Sequence, residues 1–117
     1  MQENNAYKTM GSKLLISGTV IIFDCQIKEV IEICDMLIVL ILKKSRITPN
    51  RNVFGVSISK KKIIWQIEKL FPTDDNENCP FVGIRKYNNQ LYLNNWCDVY
   101  LIVDPETGKV IKKGASR

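Results

Sequence analysis

Met36-Leu37-Ile38-Val39-Leu40-Ile41-Leu42 is an apolar stretch of seven residues with no polar position in it. A run of this length is too short to cross a bilayer, which takes about 20 residues as a helix. Without polar alternation, and rich in β-branched side chains, it reads as a strand covered on both faces, and its place is near the middle of a sheet. On its N-terminal side a short Cys34-Asp35 turn leads back to Ile27–Ile33, where Ile27, Glu29, Ile31 and Ile33 alternate against Lys28, Val30 and Glu32. On its C-terminal side Lys43 to Arg51 contains Ser45, Thr48, Pro49 and Asn50 and reads as a loop between two sub-sheets.

The rest of the chain repeats this rhythm. Leu14 to Phe23 is dense in β-branched residues and reads as one strand with a bulge or bend at Gly18, followed by an Asp24-Cys25-Gln26 turn. Residues Asn52–Ile58 and Ile63–Ile67 flank a lysine-rich turn and form a hairpin. Leu70 to Pro80, the most polar stretch, is the longest loop. Phe81–Ile84 and Gln90–Leu93 flank Asn88-Asn89, a pair that tolerates the left-handed backbone of a hairpin turn. Val99–Val103 meets Lys109–Ile111 across Asp104-Pro105-Glu106-Thr107-Gly108, where Pro105 presets a turn and Gly108 closes it. The expected fold is therefore all-β, or β-dominated α+β: a single antiparallel β-sandwich or curled sheet of about 8–9 short strands. The α+β alternative places Ile27 to Leu42, or one turn at Gln66 to Phe71, on a helix. Residues 13–113 form one domain, behind a loose leader at 1–12 and before a tail at 114–117.

At 117 residues, 45% hydrophobic and 25% charged, the chain has the length and composition of one ordinary globular domain. Its formal net charge of +5 favours an anionic partner. The 17 Lys and Arg residues are dispersed, however, and the Lys60-Lys61-Lys62 cluster reads as a solvated turn that protects neighbouring strands from pairing with other chains. Cys25, Cys34, Cys79 and Cys97 contain no CxxC pair, and with no histidine a zinc site would have to be all-Cys with irregular spacing. Two disulfides are arithmetically possible. The N-terminus carries no secretory signal pattern, so reduced, mostly buried thiols in a cytoplasmic protein are expected, with no membrane association, cofactor or metal.

A chain without histidine lacks the usual neutral-pH general base and any Ser-His or Cys-His pair. Asp24, Asp35, Asp98 and Asp104 stand at strand ends and turns, where Asp is favoured for its own backbone hydrogen bonds. The six glycines are scattered, so there is no phosphate-binding loop. The expectation is a protein that is not an enzyme and acts by binding a macromolecule. Phe54 and Trp65 read as cross-strand core partners. Phe54, Trp65, Phe81, Tyr92, Trp96 and Tyr100 interleave with Arg51, Arg85 and Lys86, a combination that can also stack single-stranded nucleic acid. Tyr87, Asn94, Asn95, Trp96 and Asp98 mix rigid aromatics with hydrogen-bonding side chains and form the candidate partner-binding set, with Trp96 as its anchor. In the competing reading Trp96 folds inward and caps the sheet.

From Asn52 to Ile111 the chain resembles small bacterial immunity proteins of toxin delivery systems, including contact-dependent growth inhibition. The matching pieces are Asn52-Val53-Phe54-Gly55-Val56, Ile63-Ile64-Trp65-Gln66-Ile67, Phe81-Val82-Gly83-Ile84, Asn95-Trp96 and Val103-Asp104-Pro105-Glu106-Thr107-Gly108-Lys109-Val110. These are chiefly turn and packing residues, and a similar rhythm occurs in single blades of β-propellers. Ser59-Lys60-Lys61 stands where Asp-Gly or Asn-Gly is usual, and Asp98 where glycine is expected. The resemblance implies an intracellular protein that binds and neutralises a cognate toxin encoded nearby. The alternative, from charge and aromatics, is a small basic β module for single-stranded nucleic acid.

Overall fold

Short β-branched segments separated by left-handed turn residues give eleven strands in a computed structural model that describes residues 7–42, 51–68 and 80–115. They are β1 (Tyr7–Met10), β2 (Lys13–Ile16), β3 (Thr19–Ile22), β4 (Ile27–Ile33), β5 (Met36–Ile41), β6 (Val53–Ser57), β7 (Lys62–Gln66), β8 (Phe81–Tyr87), β9 (Gln90–Asn95), β10 (Val99–Val103) and β11 (Val110–Ala115). Every pairing is between consecutive strands and antiparallel. The strands make three meanders: a first sheet of β1–β3, a second of β4–β7 and a third of β8–β11. There is no helix among the described residues, and hence none long and apolar enough to cross a membrane.

All six residues of β5 are buried, as the apolar run requires, and they divide between two cores. Met36, Ile38 and Leu40 join Phe81, Ile84, Leu91, Leu93, Leu101 and Val103 of the third sheet. Leu37, Val39 and Ile41 point the other way and join Leu14, Ile16 and Phe23 beside the first sheet. Burial of each of these side chains contributes about 1.5–3 kcal/mol. The second sheet is thus packed on both faces, and it holds the third sheet in place.

Two buried side chains fasten the second sheet to the third, beside the exposed Lys28, whose Nζ donates to the Val82 carbonyl at 3.0 Å. Asn52 is buried, donates from Nδ2 to the carbonyls of Ile41 and Phe81 at 2.9 Å each, and accepts at Oδ1 from the Phe81 amide at 2.9 Å. Trp65 donates from Nε1 to the Pro105 carbonyl at 2.8 Å, with its ring between Gly55 on β6 and Gly108 in the β10–β11 turn. The spacing of Trp65 from the Asp104–Gly108 turn therefore has a packing cause. The turn residue Gly108 must lack a side chain because the indole lies where its Cβ would be, and its φ of +78° suits glycine independently.

Four expectations are corrected. Leu14–Phe23 is a hairpin, not one bent strand, because Ser17 and Gly18 both take positive φ (43° and 91°) in a two-residue turn. Tyr7–Met10 of the expected leader pairs with β2 as β1, so the strands number eleven and lie in three sheets. Phe54 and Trp65 are not cross-strand partners: Trp65 stands opposite Gly55, while Phe54 packs on Phe23 at 5.0 Å in the other core. At the C-terminus β11 extends to Ala115, into the expected tail. The Asn88-Asn89 turn does form as read, with φ of 52° and 62°. The loops expected at 43–50 and 70–79 lie outside the described residues.

Candidate interaction surface

Along the third sheet, alternation sends Leu91, Leu93, Leu101 and Val103 inward and turns the residues between them to an open face, on which Arg85, Tyr87 and Lys112 are exposed, Tyr92, Asn94 and Tyr100 half-buried, and Ile102 buried among its neighbours. Register then decides which residues share that face. Arg85, Tyr92, Ile102 and Lys112 form one row across the four strands, and Gly83, Asn94, Tyr100 and Gly114 form another. Tyr87 pairs with Gln90 at the hairpin end. Tyr87 and Tyr92 meet edge to face at 6.2 Å, and Tyr92 and Tyr100 at 6.2 Å with planes 38° apart, so the three rings step diagonally across β8, β9 and β10. Tyr100 lies over Gly114, where a Cβ would come within 2.8 Å of the ring. A shallow cleft of about 280 Å³ opens beside Arg85, Tyr87 and Tyr92. None of the residues in these rows is acidic.

The other candidate residues sit at the far end of β9, in the corner before β10. Asn95 is buried, and its Oδ1 accepts from the amides of Cys97 at 3.0 Å and Val99 at 2.9 Å. The Trp96 amide donates to the Pro80 carbonyl at 2.9 Å, and Asp98 takes the left-handed backbone, φ 63°, that glycine would adopt there. The corner is framed by the Asn95 side chain, the Trp96–Pro80 bond and the disulfide at Cys97, and Trp96 is 70% exposed on it. Trp96 is therefore not an inward cap on the sheet.

The five residues expected to act together are divided. Tyr87 and Asn94 belong to the open face, Trp96 and Asp98 are exposed at the corner, and Asn95 is a buried frame for that corner instead of a contact residue. The Asn95 Nδ2 is left without a hydrogen-bond partner by this role. Tyr92, Tyr100, Arg85 and Lys112 complete the face; the alternation Gln90-Leu91-Tyr92-Leu93-Asn94 signals two of its positions, but only register unites them. The cysteines also differ from expectation: Cys97 is disulfide-bonded, Cys34 is exposed and Cys25 half-buried, while Cys79 lies outside the described residues. No three His, Cys, Asp or Glu side chains among the described residues cluster as metal ligands.

A second polar cluster joins the β4–β5 and β6–β7 turns. Asp35 Oδ2 accepts from the Ser59 hydroxyl at 2.7 Å, the Ser59 amide at 3.3 Å and the Ser57 hydroxyl at 3.4 Å. The Ser59 hydroxyl bond is the largest of the causes that hold the Asp35 carboxyl below its usual range, with the Ser59 amide, the Ser57 hydroxyl and the charge of Lys60 adding to it and partial desolvation opposing it. Its bonds are all to these turns, so the cluster reads as a turn lock.

Fold and surface together define an all-β protein of three stacked-core meanders that presents an aromatic, cationic sheet face and an exposed tryptophan corner. The chain belongs to the DUF7957 family, a domain of unknown function, whose model matches residues 4–115. No curated protein matches it.

Proposed function

We propose that this protein is a non-catalytic, intracellular immunity protein that binds a cognate bacterial toxin stoichiometrically, with Trp96 as an anchor of the interface. The observation that supports this reading is the exposure of Trp96 on a corner whose hydrogen bonds hold it away from the core. A large aromatic kept in water on a rigid frame loses little entropy on binding and has the character of an interface hot spot. Asn94 and Asp98 flank it in sequence with hydrogen-bonding side chains. A net charge of +5 suits an acidic face on the toxin.

The test is co-purification with the C-terminal domain of the protein encoded next to this gene, followed by calorimetric titration. One-to-one binding that protects cells from that domain supports the reading. A neighbouring product that lacks a toxic C-terminus, or that does not bind, overturns it.

A further inference from the structure

We propose that the open face of the third sheet is a binding site for single-stranded nucleic acid, separate from the Trp96 corner. The face offers the two things such a strand needs: aromatic rings for its bases and cations for its phosphates. The rings are Tyr87, 59% exposed, then Tyr92 and Tyr100, each 6.2 Å from the next. That step is longer than the ~3.4 Å rise of stacked bases, so it suits a splayed strand whose bases meet separate rings better than a stacked helix. The edge-to-face arrangement of Tyr87 and Tyr92 gives the cleft of about 280 Å³ a wall and a floor, with Arg85 at its side. This is at the small end of ligand pockets, room for one base rather than a larger ligand.

Charge complementarity selects the occupant. Arg85 on β8 and Lys112 on β11 stand at the two ends of the row that holds Tyr92, placing a cation at each edge of the sheet with Tyr92 and Tyr100 on the two strands between them. No carboxylate stands in the paired rows of the open face, where one would repel a phosphate backbone. A duplex hides its base faces and gains nothing from the rings, so the single strand is the form recognised.

The experiment is fluorescence anisotropy of the full chain with labelled 12-nucleotide oligo(U) and oligo(dT) at 50 and 200 mM salt. Both strands bind at low salt, because the rings and cations serve either backbone. With Arg85 and Lys112 each neutralising one phosphate, affinity falls about sevenfold across that salt range, from a slope of roughly −0.7 per phosphate. Tyr87→Ala and Tyr92→Ala each weaken binding about 5- to 150-fold, the range for one lost stacked base. Arg85→Gln removes about half of the salt slope. Val20→Ser, on the first sheet, changes nothing. Circular dichroism confirms that each variant is folded, and Tyr87, more than half exposed, can be truncated without touching the core. No anisotropy change with either oligonucleotide at 50 mM salt overturns the proposal. So does binding that survives both tyrosine substitutions, which places the strand on dispersed lysines elsewhere. Binding of poly-glutamate but of neither oligonucleotide also overturns it, and assigns the face to an acidic protein.

Discussion

The indole of Trp65 packs on the bare Cα of Gly55, its paired neighbour on β6, so closely that a Cβ at Gly55 would overlap Cε2 and Nε1 of the ring. Gly55 has no positive φ, so its requirement is one of space. Gly55→Ala therefore displaces the indole and its bond to Pro105, and destabilises the protein by about 3 kcal/mol, at the upper end of overpacking costs. Gly83→Ala, where nothing lies within 4 Å of the new Cβ, is neutral to about 1 kcal/mol stabilising. Urea unfolding of the two variants checks the contrast; equal effects would show that Trp65 adjusts freely.

Asn52 is the second fastening. Asn52→Leu keeps similar volume but strands the buried Phe81 amide and two carbonyls. It lowers stability by about 2–4 kcal/mol, the range expected when several buried hydrogen bonds lose one partner. Thermal melts at one pH suffice to measure it.

Trp96→Ala separates stability from binding. With the ring 70% exposed, truncation leaves the unfolding free energy within about 0.5 kcal/mol of the parent's. Toxin affinity drops by about 2 kcal/mol or more. An early-melting variant with intact binding contradicts the assignment of Trp96 to an interface.

Acid tests the Asp35 turn lock. Its folded pKa is lowered from the ordinary 3.8, so the stability it contributes is present above that value and is lost as pH falls through the lower folded pKa. Asp35→Asn makes the fall in melting temperature below about pH 4 shallower. Ser59→Ala, which removes the largest cause of the shift, moves the Asp35 carboxyl titration upward, as followed by carbon NMR.

Much of this architecture was legible because two signals act locally. Met36 to Leu42 had to be a doubly covered strand, and Asn88-Asn89 and Asp104 to Gly108 had to turn, since backbone sterics leave those residues few alternatives. Ser17-Gly18 was harder: a single glycine in an apolar segment is compatible with a bulge or a two-residue turn, and only the pairing of Leu14 with Ile21 decides between them. Tyr7 to Met10 carries little apolar pattern because most of β1 is exposed. The candidate site was legible as residue types but not as a place. Tyr87 and Trp96 are close in sequence, yet a full strand separates them, whereas Arg85, Tyr92 and Lys112 come together through register across four strands.

Because β5 turns alternate side chains into two different cores, neither outer sheet can detach without wetting one side of the same strand. The three meanders are therefore coupled like two doors on one hinge post. Their unfolding should register as a single transition, with the amides of Ile38 and Val39 among the slowest to exchange with solvent deuterium. A shortened chain that keeps β4–β7 but ends before Phe81 would carry an unpaired apolar face and aggregate instead of forming a smaller stable unit.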